Sequence, residues 1–271
     1  MNTIDKSRMI FICLSLLFLA SCSQVAITGR KQLNLVPDSL MNTMSYQSYA
    51  EFLTENQISS DTQQVELVKR VGLRIQKAVE TYCAENNRAD QLDGYKWEFN
   101  LIQDDSVNAW AMPGGKVVVY TGLMSIAQNE AGLAVVVAHE IAHVIARHGS
   151  ERMTQGLLVE LGGMGLSAAL ESYPTETQEL FMKSYTVGSQ YGVLLPYSRA
   201  HENEADHMGL IFMSMAGYDP HEAVSFWERM AAAKQDASAP PEFLSTHPAD
   251  STRIRKIKEL IPTAMQYYEK P

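Results

Sequence analysis

Two short segments hold the residues that could do chemistry. In the run His139-Glu140-Ile141-Ala142-His143 the two histidines stand four residues apart. On an α-helix that spacing puts both imidazoles on one face, within reach of a single metal ion. Glu140 sets a carboxylate at the same opening, where it can take a proton from water that the metal has acidified to a pKa of roughly 7. About sixty residues further on, Glu202-Asn203-Glu204-Ala205-Asp206 offers a third ligand. Glu202 and Asp206 share a helix face at i and i+4, whereas Glu204 points roughly the opposite way. Glu202 is therefore the expected ligand, with Asp206 steadying a ligand from behind. Three protein ligands leave one zinc position open, which is a catalytic rather than a structural arrangement. The expectation is a peptide hydrolase with one Zn2+ per chain.

Those side chains need elements to hold them. Val135, Val136, Val137, Ile141, Val144 and Ile145 surround the histidine pair, so a helix over 125–148 would be buried on most sides, closed by Gly149 as a C-terminal cap. Burying two histidines and a glutamate is costly without compensation, and a metal ion supplies it. Ala138, Ala142 and Ala146 recur every four residues and let another helix approach closely. The second motif falls on a helix over 197–215. Further helices are expected over 38–52, over 61–82 with the stripe Val65, Val68, Gly72, Ile75 and Val79, and over 252–261. Asp219-Pro220-His221-Glu222 restarts a helix with a cap and a proline at its first position. Trp97, Phe99 and Leu101 alternate with Glu98, Asn100 and Ile102 as in a strand. Strands over 107–112 and 116–120 are split by the turn Pro113-Gly114-Gly115. The fold class is α+β, predominantly helical with a small β-sheet. His148, His201, His207 and His221 are expected to be surface or capping histidines. The stretch 157–170, rich in Gly, Leu and Met, is too short to span a bilayer and is expected to be a packed or substrate-contacting helix.

Length and composition bound the remainder. The 271 residues suit one sizeable domain or one domain plus an appendage, and 46% hydrophobic with 20% charged residues speaks against wholesale disorder. A net charge of −9 speaks against nucleic acid as a partner. Lys6 and Arg8 precede an apolar run from Met9 to Ala20, the pattern of an export signal over residues 1–21. Its end, Leu19-Ala20-Ser21-Cys22, resembles a bacterial lipobox, which implies lipidation at Cys22. Residues 22–37 then read as a lipid anchor and polar tether, and 38–271 as the catalytic domain. By the same resemblance Ser23 after the cysteine, in place of an aspartate, implies the outer membrane facing the periplasm for a Gram-negative source. With Cys13 removed and Cys22 lipidated, Cys83 is left alone, a half-buried packing residue with no disulfide to make.

Taken together these residues resemble the gluzincin zinc metallopeptidases of family M48, which include CAAX prenyl endopeptidases and HtpX-type and OMA-type peptidases. The likeness rests on Thr28-Gly29-Arg30-Lys31-Gln32-Leu33, on Asn108-Ala109-Trp110-Ala111-Met112-Pro113-Gly114-Gly115, and on the HExxH run. It extends through Ser198-Arg199-Ala200-His201-Glu202-Asn203-Glu204-Ala205-Asp206 and Ser245-Thr246-His247-Pro248 with Arg253. A metzincin would carry glycine at 146 and histidine at 149, where Ala146 and Gly149 stand. The resemblance implies a zincin-like fold in which Asn108, Ala109, Trp110 and Ala111 form an exposed edge for an extended peptide. It also implies that His247 and Arg253 face the metal cleft, either of them as an oxyanion stabiliser. A neutral His247 could instead reach the open zinc position and hold the enzyme latent. The nearest members in kind are periplasmic BepA-like lipoproteins, although this sequence ends too early for their tetratricopeptide array. The implied activity is cleavage of misfolded or misassembled envelope polypeptides. The rival reading is an envelope chaperone or assembly factor with a mainly structural zinc, against which Glu140 weighs.

Overall fold

A computed structural model describes residues 22–171, 175, 179, 182–183, 195–236, 242–248 and 251–268. Strands and α-helices run in the order β1 (Cys22–Gln24), β2 (Lys31–Leu33), α1 (Asp38–Glu55), α2 (Thr62–Glu85), β3 (Glu98–Ile102), β4 (Ala109–Met112) and β5 (Lys116–Tyr120). There follow α3 (Thr121–Ala127), α4 (Glu130–Ile145), α5 (His148–Leu170), α6 (Leu195–Met215), α7 (Glu222–Asp236), α8 (Phe243–Thr246) and α9 (Ser251–Ala264). The chain falls into two compact units, Met1–Pro37 with Gly149–Leu195, and Asp38–His148 with Pro196–Pro271. The α+β expectation holds. The expected signal segment 1–21 and residues 237–241, part of a stretch rich in Pro, Ala and Ser, lie outside the described residues.

The larger unit is built on a three-stranded sheet of order β3-β5-β4, with β3 parallel and β4 antiparallel to β5. Pro113 ends β4, and Gly114 and Gly115 make the turn at φ +81° and +85°, a region that residues with a Cβ rarely enter. Alternate residues of β3 face opposite ways. Phe99 meets α2 at Gly72, while Asn100 donates its side-chain N–H to the Tyr49 hydroxyl of α1 at 2.8 Å. Both faces are covered, so Asn100 and Ile102 are buried rather than exposed on a polar side. On the α1 side Tyr49, Ile102 and Val118 form a cluster joined by Phe52, Leu53, Trp110, Met112 and Tyr120. On the other side α2 packs against β3, and α4 against β4 and β5. The outer edge of β3 is taken by backbone bonds from Ser59 N to Leu101 O and from Gln103 N to Gln57 O. Among the described residues β4 pairs with β5 alone, which leaves it as the edge strand.

The expected helix over 125–148 is broken twice. Gln128 takes φ +62°, and Asn129 caps α4 by accepting from Gly132 N at 2.8 Å. Ala146 closes α4, Arg147 adopts φ +58°, and a new helix begins at His148. Gly149 therefore lies inside α5 and caps nothing. Likewise α7 begins at Glu222, with Pro220 in the preceding turn rather than in the first helical position. Asp61, the first residue of the helix expected over 61–82, instead caps α2, accepting from Gln63 N and Gln64 N. Cys83 is fully buried, and burial pushes its thiol up to about 11, so it is an inert packing residue.

In the smaller unit the tether segment is folded. β1 and β2 pair antiparallel, with Cys22 opposite Leu33. Arg30 forms a two-pronged bond to the buried Glu151 at 2.9 and 2.7 Å. Leu35 N donates to Thr154 Oγ1 at 3.0 Å. The stretch 157–170 is helical but not packed away, because Leu157, Leu158, Leu161 and Met164 are exposed. No described helix is long and apolar enough to cross a membrane.

Candidate metal centre

The metal-site residues come from four elements of the larger unit. α4 carries His139, Glu140 and His143, and is buried from Gly132 to Ile145 except at His143. α6 lies directly on it: a Cβ at Gly209 would stand 3.1 Å from the His139 backbone, so glycine is what permits this approach. That places Glu202 and Asp206 against the histidines. The short α8 ends at His247, whose N–H is satisfied by Phe243 O, and α9 supplies the buried Arg253.

His139, His143, Glu202 and His247 bring one ligand atom each within 4.8 Å of all the others. His139 Nε2 lies 3.1 Å from His143 Nε2 and 3.2 Å from His247 Nδ1. Glu202 spans all three, with Oε1 3.3 Å from His143 Nε2, and Oε2 3.4 Å from His139 Nε2 and 2.9 Å from His247 Nδ1. Ligands about 2.0–2.1 Å from a tetrahedral zinc stand about 3.3 Å apart. The cage has that size, and its N3O donor set suits zinc. His247 occupies the fourth corner that three-ligand reasoning leaves open. Its other nitrogen, Nε2, faces Glu140 Oε1 at 3.5 Å. That Glu140 oxygen is buried without a hydrogen-bond partner, an acceptor aimed into the site.

Behind the ligands sits an ionic brace. Asp206 Oδ1 is 3.0 Å from His139 Nδ1. Arg253 grips Asp206 with Nε to Oδ2 at 2.8 Å and Nη2 to Oδ1 at 2.7 Å, and approaches Glu202 with Nη1 at 3.1 Å. Its guanidinium lies flat over Trp227, 3.5 Å from the ring centre. With its donors directed at Asp206 and Glu202, Arg253 braces the ligands instead of standing over the cleft as an oxyanion donor. Burial opposes charge on His139, yet hydrogen bonds to Asp206 and Glu202 prevail and lift it to about 9. Burial would also raise Glu202, but the hydrogen bonds from His139, His143 and His247 hold it well below the carboxylate range. Asp206 is held down despite burial, chiefly by Arg253. Glu140 goes the other way, raised by burial, and burial drives His143 far down. Two ionised carboxylates facing clustered imidazoles make a pocket that favours a cation.

Two histidines expected at the surface or as caps belong here, together with Glu204. His148 and His201 are each 2% exposed and stack at 4.2 Å with an interplanar angle of 16°. Glu204 is buried too, and its Oε2 lies 2.9 Å from His148 Nε2. His148 Nδ1 in turn lies 2.8 Å from His143 Nδ1. His148 is five residues past His143, off any common helix face, and only the break at Arg147 turns it back. A cue did exist on α6, where His201 and Glu204 at i and i+3 share a face. His207 is half-buried and His221 is exposed against Asp219, away from the cage. On the edge strand Trp110 packs edge-on against Tyr49 and Phe52. Ala109 is buried, Ala111 is half-buried, and Asn108 Oδ1 accepts from Ala109 N.

Comparison with known proteins agrees with this geometry. The family description "Peptidase family M48" matches residues 69–261. The mitochondrial metalloendopeptidase OMA1 of Schizosaccharomyces pombe is 34% identical over 240 residues, which is 89% of this chain and 66% of the relative. The OMA1 of Saccharomyces cerevisiae is 35% identical over 184 residues, covering 66% and 51%. The beta-barrel assembly-enhancing protease of Escherichia coli is 32% identical over 162 residues, covering 58% and 33%. The chain thus spans from about a third to two thirds of the length of these relatives.

Proposed function

The chain belongs to peptidase family M48 and carries its zinc metallopeptidase centre, and from that premise we propose that it is an endopeptidase of the bacterial cell envelope that cleaves misfolded or misassembled polypeptides. The observation that carries the hydrolytic part is the orphaned Glu140 Oε1 beside a zinc-sized cage. Zinc, when bound, supplies Lewis acidity that polarises water and the scissile carbonyl. Glu140 takes the proton of the attacking water at Oε1 and delivers it to the departing amine. His139 is held in place by Asp206, and Glu202 by Arg253, so little reorganisation of these two ligands is needed during the reaction.

The substrate part rests on β4. An edge strand packed on the helix that bears the metal ligands suits an extended chain added as a fourth strand. Main-chain pairing implies loose sequence preference and a requirement for unfolded substrate. One set of assays tests both parts. Casein hydrolysis should stop with a zinc chelator, and Glu140→Gln should lose about 10²–10⁴-fold in rate while keeping stoichiometric zinc. A model peptide should lose cleavage when proline replaces residues that pair with β4. A fully active Glu140→Gln variant, or indifference to proline at every position, sinks the corresponding part.

The envelope address is supported by the charged start, the apolar run and the lipobox-like end at Cys22, and by the name of the Escherichia coli relative. Cell fractionation should find the protein with outer membranes, and the Cys22→Ser variant in the soluble periplasm. A Cys22→Ser variant that still pellets with membranes rejects lipid anchoring.

A second reading is favoured by one observation, the fourth protein ligand. Four protein ligands with no open position are the arrangement of a structural zinc, as a chaperone or assembly factor would have. A latent protease reconciles both facts: His247 fills the cage and lies against Glu140 until it is displaced.

A further inference from the structure

We propose that His148 and Glu204 form a second ligand-orienting pair, which holds His143 for the metal as Asp206 holds His139. The inference rests on the zinc-site reading and adds two residues to it.

Each imidazole of the HExxH pair is gripped from behind, but by different means. His139 Nδ1 meets a carboxylate directly, Asp206 Oδ1 at 3.0 Å. His143 Nδ1 meets another imidazole, His148 Nδ1 at 2.8 Å. The proton positions along that chain follow from the ligand role. His143 offers Nε2 to the cage, so its proton must sit on Nδ1, and Nδ1–H donates. His148 Nδ1 must then accept, which moves the His148 proton to Nε2. There it meets the Glu204 carboxylate at 2.9 Å, the one partner type that can only accept. The order Glu204, His148, His143, cage is therefore self-consistent, and the reverse order would put a proton on the coordinating nitrogen.

The pair is sealed. The side chains of His148 and Glu204 are 2% and 4% exposed, and His201 stacks on the His148 ring and fixes its plane. A carboxylate at the far end draws the protons along the chain toward itself, which makes His143 Nε2 a better donor to metal and stops its ring from turning. The run Glu202-Asn203-Glu204-Ala205-Asp206 then serves the site three times, with a ligand and a brace for each histidine.

The test uses the full chain and three readouts: zinc affinity by competition with a chromophoric chelator, the visible spectrum of the Co2+-substituted protein, and thermal unfolding of the metal-free protein. His148→Phe keeps a ring of similar size without the acceptor, and should weaken zinc by about 10–100-fold and shift the cobalt bands. His148→Asn restores an acceptor near the Nδ1 position and should recover part of that loss. Glu204→Gln removes the charge with little change of shape, and should weaken zinc by about 10-fold; it decides the matter if His148→Phe does not fold. A folded His148→Phe or Glu204→Gln variant with affinity within about twofold of the parent and unchanged cobalt bands overturns the proposal. A parent chain that takes up no zinc overturns the metal centre itself, so the two failures are distinguishable.

Discussion

His247 touches both the metal cage and the base. It presents Nδ1 to the cage and Nε2 to Glu140, so a single imidazole covers both the fourth ligand place and the base. His247→Ala should raise basal casein hydrolysis if covering is its role, and reduce it if it stabilises the oxyanion; an unchanged rate removes both roles. How much of the site was legible depended on spacing. His139 with His143, and Glu202 with Asp206, are i and i+4 pairs, and helical geometry alone selects them. Glu204 does point away from Glu202, yet it points at His148 rather than at solvent. Helix-face reasoning could not find that, because the partner arrives through a left-handed residue at Arg147. Arg253 was legible as a neighbour of the cleft but not as a brace, since its partners Asp206 and Trp227 lie 47 residues away and on another helix.

At the scale of elements, the entry to α4 is held by an ionic hub. Glu130, first in the helix, accepts from Arg70 at 2.8 Å and from the Tyr218 hydroxyl at 2.7 Å. Arg74 lies 3.4 Å from the same carboxylate, donates to Ala216 O at 2.6 Å and lies over the Tyr218 ring. The hub thereby ties α2, the start of α4 and the turn after α6 together. Arg70, more than the other partners, holds the Glu130 carboxyl below its ordinary value. A depressed value means stabilisation that is full above the unfolded pKa, about 4.3, and lost as pH falls through the folded one. Glu130→Gln should therefore lower Tm at pH 7, with the difference shrinking as pH falls below the unfolded pKa of about 4.3 and through the lower folded one; a constant difference on acidification would show that charge is not the cause. Strand and helix periodicities were readable from residues such as Val68, Ile75 and Phe99. The interruption at Gln128 was not, because nothing in the local pattern of 125–148 marks a left-handed residue there.

For the molecule as a whole, the apolar pattern located the core but did not settle two segments. The stretch after Cys22 looked polar and unattached, yet Arg30 finds the buried Glu151 across 121 residues, a pairing no local pattern reveals. The helix over 157–170 reads as packed or substrate-contacting, and Leu161 and Met164, more than 60% exposed, rule against the packed alternative. By contrast α4 is enclosed as its valines suggested, and that enclosure bears on what happens when zinc is scarce. The histidines hang from a scaffold whose packing by Val136, Val137, Ile141 and Leu133 owes nothing to the metal, unlike small zinc modules that unravel when stripped. Starved of zinc, the protein should persist as a dormant but intact vessel: dialysis against chelator should leave its circular dichroism unchanged, and one equivalent of zinc should restore full hydrolysis. Helix lost on stripping would mean that the ion is a keystone of the architecture and not a passenger in it.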